Sequence, residues 1–143
     1  MPFDGLVLSN IVSELKNSIL GGRVDKFYQT EKDEIIFSIR KTNNNKKLLL
    51  SASSSYPRAC FTTVVKDNPQ NPPMFCMLLR KHLNGGKIIN IIQPSFERIL
   101  EIHIESLNEM GDMSTKRLIL EIMGRHSNII LVNEYNTILD SIK

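Results

Sequence analysis

Two short strings carry side chains suited to holding an anion: Glu97-Arg98, and Gly124-Arg125-His126-Ser127. A guanidinium offers a planar fork of donors that matches a phosphate, and a neighbouring carboxylate can orient that fork. Strand parity puts Arg98 on the side of Leu100, Ile102 and Ile104. It therefore either enters a buried ion pair, with Glu121 or Glu97, or aims at phosphate, with Glu97 orienting it. Gly124 to Ser127 reads as a hairpin turn with Arg125 and His126 at its tip, where they are either solvated or in contact with phosphate and base. Arg80, Lys81 and His82 end a helix, where cations favour the dipole. Lys46-Lys47 and Lys116-Arg117 begin strands and are expected to be solvated. Tyr56-Pro57-Arg58 is a loop offering an aromatic and a cation, as a loop anchor or a base-stacking element. No nucleophile stands beside a base, and no Gly-rich phosphate loop or metal set occurs. Cys60 and Cys76 lack metal-ligand spacing and read as a reduced, buried pair, while His82, His103 and His126 are scattered. No catalytic residue, cofactor or metal is expected.

The elements that position these residues follow from apolar spacing. Leu8, Ile11, Val12, Leu15 and Ile19 form one helical face between Asp4, a candidate N-cap, and Gly21-Gly22, a stop. Strands are predicted at Arg23 to Gln29, Glu34 to Lys41 and Lys46 to Ala52. The stretch Lys66 to Pro73 is a connector. A second helix runs from Met74 to Asn84 and stops at Gly85-Gly86. Strands follow at Lys87 to Gln93, Arg98 to Glu105, Lys116 to Met123 and Asn128 to Val132, with a weaker one at Thr137 to Ile142. An offset of 64 residues relates the halves, pairing Gly21-Gly22 with Gly85-Gly86, Gln29 with Gln93, and Asp33 with Glu97. Duplication of one helix-plus-sheet unit accounts for it. The expected fold is α+β: a mostly antiparallel sandwich or flattened barrel with two flanking helices.

The length of 143 residues suits one domain, and 41% hydrophobic with 23% charged residues excludes disorder over most of it. The net charge of +3 is a mild excess, compatible with RNA or an acidic partner. The N-terminus has no positive n-region or cleavable apolar segment, and no apolar run approaches the roughly 20 residues of a membrane span. A cytoplasmic protein is expected.

The strings MPFDG, GGRVDKFYQ, LLLSASSSYPR, PPMFCMLLRKHLNGG and EIMGRHSNIILV resemble the NFACT-N domain, from Met1 to about Val132. That domain opens the RqcH-like ribosome quality-control factors, formerly labelled fibronectin-binding protein A. The resemblance implies a fold similar to the N-terminal domain of formamidopyrimidine-DNA glycosylases, and residues 1–143 as a single domain from a longer protein. It implies binding to large ribosomal subunits blocked by peptidyl-tRNA and recruitment of tRNA, alanyl-tRNA in bacteria, for C-terminal tailing. The family carries Asp-Arg where this chain has Glu97-Arg98, and that pair is implicated in tRNA engagement. Arg98 matches; Glu97 is longer by one methylene. Glu97, Arg98, Arg125 and His126 are the expected tRNA-binding residues, in a binding module rather than an enzyme. The older label implies the alternative, adhesion to fibronectin. Glycosylase chemistry is rejected, because Phe3 follows Pro2 where those enzymes carry a glutamate.

Overall fold

The computed structural model of the chain describes residues 5–42, 44–63, 72–94 and 97–143. Pro2, Phe3, the proposed cap Asp4 and most of the Lys66–Pro73 connector lie outside these residues. Helix α1 (Gly5–Ile19) is followed by β1 (Arg23–Glu31), β2 (Glu34–Lys41), β3 (Asn44–Ser51) and β4 (Arg58–Phe61). Helix α2 (Met74–Leu83) leads into β5 (Lys87–Ile92), β6 (Ile99–Leu107), β7 (Met113–Glu121), β8 (Asn128–Val132) and β9 (Ile138–Ser141). Only β4 was not foreseen, because its Arg-Ala-Cys-Phe sequence is too short to display an alternation.

The strands form one antiparallel sheet of nine, in the order β4-β3-β2-β1-β5-β6-β7-β8-β9. The expectation of a sandwich or flattened barrel is corrected to a single open sheet. The reason lies at the seam, where the first residues of β1 and β5 pair, Arg23 with Lys87. Both helices stop immediately before that point, so each hands its strand to the same ladder. Four backbone bonds tie the seam: Gly21 and Val24 donate to Ile88 and Gly86, while Gly85 and Ile88 donate to Val24 and Gly22. Each pair of donors is separated by 64 residues, as are the bulges that follow, at Val24/Lys26 and Ile88/Asn90.

Gly22 and Gly86 are required by close approach. A Cβ on Gly86 would lie 2.6 Å from Ile104 Cγ2 and 2.9 Å from the Leu83 carbonyl oxygen. On Gly22 it would lie 2.7 Å from Ile39 Cγ2. The helices bury Leu8, Val12, Leu15 and Ile19 from α1 and Phe75, Leu79 and Leu83 from α2 against one face of the sheet, in a single apolar core with Phe27, Phe37, Ile102 and Leu118. The core is hydrophobic burial without disulfides; Cys76 is buried and Cys60 half-buried, and both are free thiols. Burial pushes the Cys76 thiol pKa up, partly offset by Arg80.

Candidate nucleic-acid interface

Glu97 and Arg98 lie in the connection between β5 and β6, with Arg98 just ahead of the strand rather than in it. Leaving the ladder lets the side chain escape the apolar face its parity assigns. Both residues are exposed, and no ion pair of Arg98 occurs among the described residues. The buried-pair reading, with Glu121 or Glu97, is therefore corrected.

The backbone beneath them is fixed. The Gln93 side chain donates to the Glu97 carbonyl at 2.8 Å, and the Glu97 N–H donates to Pro94 at 2.9 Å. The Ile122 N–H donates to the Arg98 carbonyl at 2.9 Å. Two free charged side chains thus stand on a pinned main chain, an arrangement that lowers the ordering cost of binding.

That last hydrogen bond brings the second candidate alongside. Ile122 is followed by a single 3-10 turn at Gly124–His126, where the sequence pattern implied a simple hairpin tip. Gly124 takes a φ of +57°, and Arg125 and His126 are exposed. Ser127 is the fastener: fully buried, it accepts from the Met123 N–H at 2.8 Å and donates to the Gly124 carbonyl at 2.7 Å. Its type was read from the sequence as part of a turn, and nothing there signalled this role. Lys143 was also missed; its Nζ reaches the Arg125 carbonyl at 3.3 Å, and its own N–H is held by Asn128. The sheet order therefore gathers Glu97, Arg98, Arg125, His126 and Lys143 at one end of β6, β7 and β8. Arg98, Arg125 and Lys143 bring three basic side chains to that end, on a hydrogen-bonded main chain.

The other candidates fare differently. Arg80 does not serve the helix end; its Nε and Nη2 donate to the Phe27 carbonyl at 3.0 and 2.8 Å, locking α2 to β1. Tyr56 is covered by Arg58 at 4.7 Å, and Arg58 also pairs with Glu34 at 3.8 Å, which favours the loop-anchor role. Lys46 lies over Phe61. Lys116 is not solvated but buried, its ammonium donating to Ser106 and Ser114 Oγ at 2.9 Å each. His103 and Arg117 both approach Glu101, at 3.0 and 3.4 Å, as an internally satisfied cluster. No group of metal-ligating side chains occurs among the described residues.

Residues 4–143 match the family model described as NFACT N-terminal and middle domains. The chain belongs to this NFACT family. It is 49% identical over 144 residues to the Rqc2 homolog RqcH of Bacillus subtilis (strain 168), covering all of this chain and 25% of that protein. Against the archaeal Rqc2 homolog aRqcH of Methanocaldococcus jannaschii, identity is 30% over 132 residues, covering 90% of this chain and 19% of that one. The chain thus spans about a quarter or less of the length of these curated relatives. Among solved structures, the N-terminal domain of fibronectin-binding protein PavA from Streptococcus pneumoniae superposes with a TM-score of 0.94 at 41% identity, covering 98% of this chain and 53% of that one. The fibrinogen binding protein from Staphylococcus aureus gives 0.89 at 40% identity, covering 100% and 51%. No helix among the described residues of this NFACT chain is long and apolar enough to cross a membrane.

Proposed function

We propose that this chain is the tRNA- and ribosome-engaging N-terminal module of a ribosome quality-control factor, a binding module without catalytic residues of its own. The observation that carries the reading is the exposed Arg98, without an ion pair among the described residues, on a main chain hydrogen-bonded to Ile122, beside Arg125 and His126, in a member of the NFACT family. In this reading the whole factor binds a large subunit blocked by peptidyl-tRNA and recruits alanyl-tRNA, and the ribosome performs peptide transfer. The Arg98 fork grips a tRNA phosphate, Glu97 orients that fork, Arg125 adds a second phosphate contact, and His126 stacks on a base. The module works in the cytoplasm, without metal or cofactor. The two halves descend from one duplicated unit, a reading supported by seam bonds and bulges that recur 64 residues apart. The same resemblance carries the likeness in fold to glycosylase N-terminal domains.

The test is tRNA binding by the purified protein over a salt series. A salt-sensitive affinity, falling at least tenfold in Arg98→Ala and more shallowly dependent on salt in Arg125→Ala, is expected. The names of two solved relatives, a fibronectin-binding and a fibrinogen binding protein, support a second reading, adhesion to an extracellular matrix protein. Nanomolar binding to fibronectin with no measurable tRNA binding would establish it in place of the first.

A further inference from the structure

At the opposite end of β6, β7 and β8, two turns of the same construction flank a cavity of about 300 Å³. In the β6–β7 turn, Asn108 Oδ1 accepts from the Met110 and Asp112 N–H groups at 2.9 Å each, and Gly111 takes a φ of +84°. In the β8–β9 turn, Asn133 Oδ1 accepts from the Tyr135 and Thr137 N–H groups at 2.9 Å each, and Asn136 takes a φ of +61°. Each turn therefore presents a glutamate and then a large apolar side chain in matching positions: Glu109-Met110 and Glu134-Tyr135. Met110 is 83% and Tyr135 74% exposed although both turns are closed by their asparagines, so loose loops do not account for the exposure. Both side chains and both glutamates line the cavity, with Leu139 and His82.

The charges sort the occupant. Lys116, 2% exposed, lines the cavity with two of its three donors used on Ser106 and Ser114. Beside this ammonium a second cation is disfavoured, while a neutral side chain with an oxygen acceptor nearby suits the remaining donor. The rim is the reverse. Among the described residues, Glu109, Glu134 and Asp112 of the same turns outnumber the exposed cation that pairs with them, Lys81, at 3.5 Å from Glu109. A volume of about 300 Å³ is at the small end of ligand cavities and holds one or two side chains. Adaptable Met and rigid Tyr at a rim are the side chains that anchor protein contacts.

We propose that this cavity docks a basic peptide segment of a partner protein, which inserts one uncharged apolar side chain and sets flanking lysines or arginines against Glu109 and Glu134. The site is separate from the Arg98 end and does not rest on the RNA reading.

The test is selection of a displayed random 12-residue peptide library on the whole protein, with counter-selection on a Met110→Ser/Tyr135→Ser variant; both positions are exposed, so the fold is unaffected. Enriched peptides are expected to carry an aliphatic or aromatic residue flanked by Lys or Arg. When synthesised, they should lose at least tenfold in affinity to Tyr135→Ser and to Glu109→Lys, and nothing to Arg98→Ala. No enrichment, acidic peptides, or affinities indifferent to Tyr135→Ser would overturn the proposal. So would self-association abolished by Tyr135→Ser, which would make a second copy the occupant. Slow hydroxyl-radical oxidation of Met110 in the whole protein would also overturn it, by placing another part of the same protein over the turns.

Discussion

The two halves of the sheet meet at one seam and then treat their nearby cations in opposite ways. At the β1–β2 end, the Ala52 N–H donates to the Asp33 carbonyl at 2.8 Å; at the β5–β6 end, the Ile122 N–H donates to the Arg98 carbonyl at 2.9 Å. The frame is the same. In the first half the nearby cation, Arg58, is bonded to the Tyr56 carbonyl, stacked on its ring and paired with Glu34. In the second half Arg98 and Arg125 are exposed, with no such ion pair among the described residues. The lysines invert the contrast. Lys46 pairs with Ile39 across the first ladder and lies over the Phe61 ring at 5.5 Å; Lys116 pairs with Ile104 across the second and is buried under Ser106 and Ser114. Similar backbone pairing thus carries cations in both halves, and their neighbours decide whether each is engaged or left exposed.

Breaking the seam should have the largest effect. Gly86→Ala places a Cβ against main-chain oxygens of Leu83 and Glu105, at 2.9 and 3.1 Å, which cannot yield as a side chain can. Overpacking of this kind costs about 1–3 kcal/mol. Gly22→Ala should cost less, because its backbone neighbours lie at 3.0 and 3.4 Å. Urea titrations of both variants measure the difference, and equal losses would remove this asymmetry between the halves.

The arginines come next. Arg58→Ala should lower stability by about 1 kcal/mol, through loss of the partly shielded pair with Glu34 and the stacking on Tyr56. Arg98→Ala and Arg125→Ala should stay within about 0.5 kcal/mol of the parent, as exposed substitutions do.

The lysines sharpen the contrast in the other direction. Burial lowers the Lys116 pKa from its usual value, with Glu134 opposing the shift. A lysine with a folded pKa below its unfolded one carries a cost at every lower pH, and the cost disappears once pH rises past the unfolded value near 10.5. Lys116→Met should therefore leave stability at pH 7 unchanged or raise it, by on the order of 1 kcal/mol. Ser106 keeps its bond to the His82 carbonyl, and Ser114 its bond to the Ser106 carbonyl. Lys46→Met should lose a few tenths of a kcal/mol at most.

The smallest effect concerns His82, whose pKa is lowered by burial and then by Lys81 and Lys116. Its folded value lies below its unfolded one, so stability should decline as pH falls from about 6.5 towards the folded value, and His82→Gln should flatten that part of the thermal-midpoint profile.

Much of this was legible in the residues. The apolar phase of Leu8 to Ile19, the Gly-Gly stops and the strand from Glu34 to Lys41 are local signals, and they mark elements the structure contains. The joining of the two halves into one open sheet was not, because the pairing of Arg23 with Lys87 joins positions far apart in sequence. Lys116 was misjudged for a related reason: the hydroxyls that bury it come from Ser106, on another strand, as well as Ser114. Parity placed Arg98 on the core side, and the structure overrules it by starting β6 one residue later, at Ile99. That one-residue difference separates an arginine on the core side of a strand from an exposed one.

The most direct measurement is C-terminal tailing by the whole factor carrying Arg98→Ala or Arg98→Lys, with thermal midpoints taken on the same preparations. The account predicts loss of tailing in Arg98→Ala at an unchanged midpoint, and a partial loss in Arg98→Lys, which keeps the charge without the fork. Normal tailing by Arg98→Ala at an unchanged midpoint would contradict it and shift attention to Arg125 and His126; a midpoint lowered by many degrees would return Arg98 to the fold.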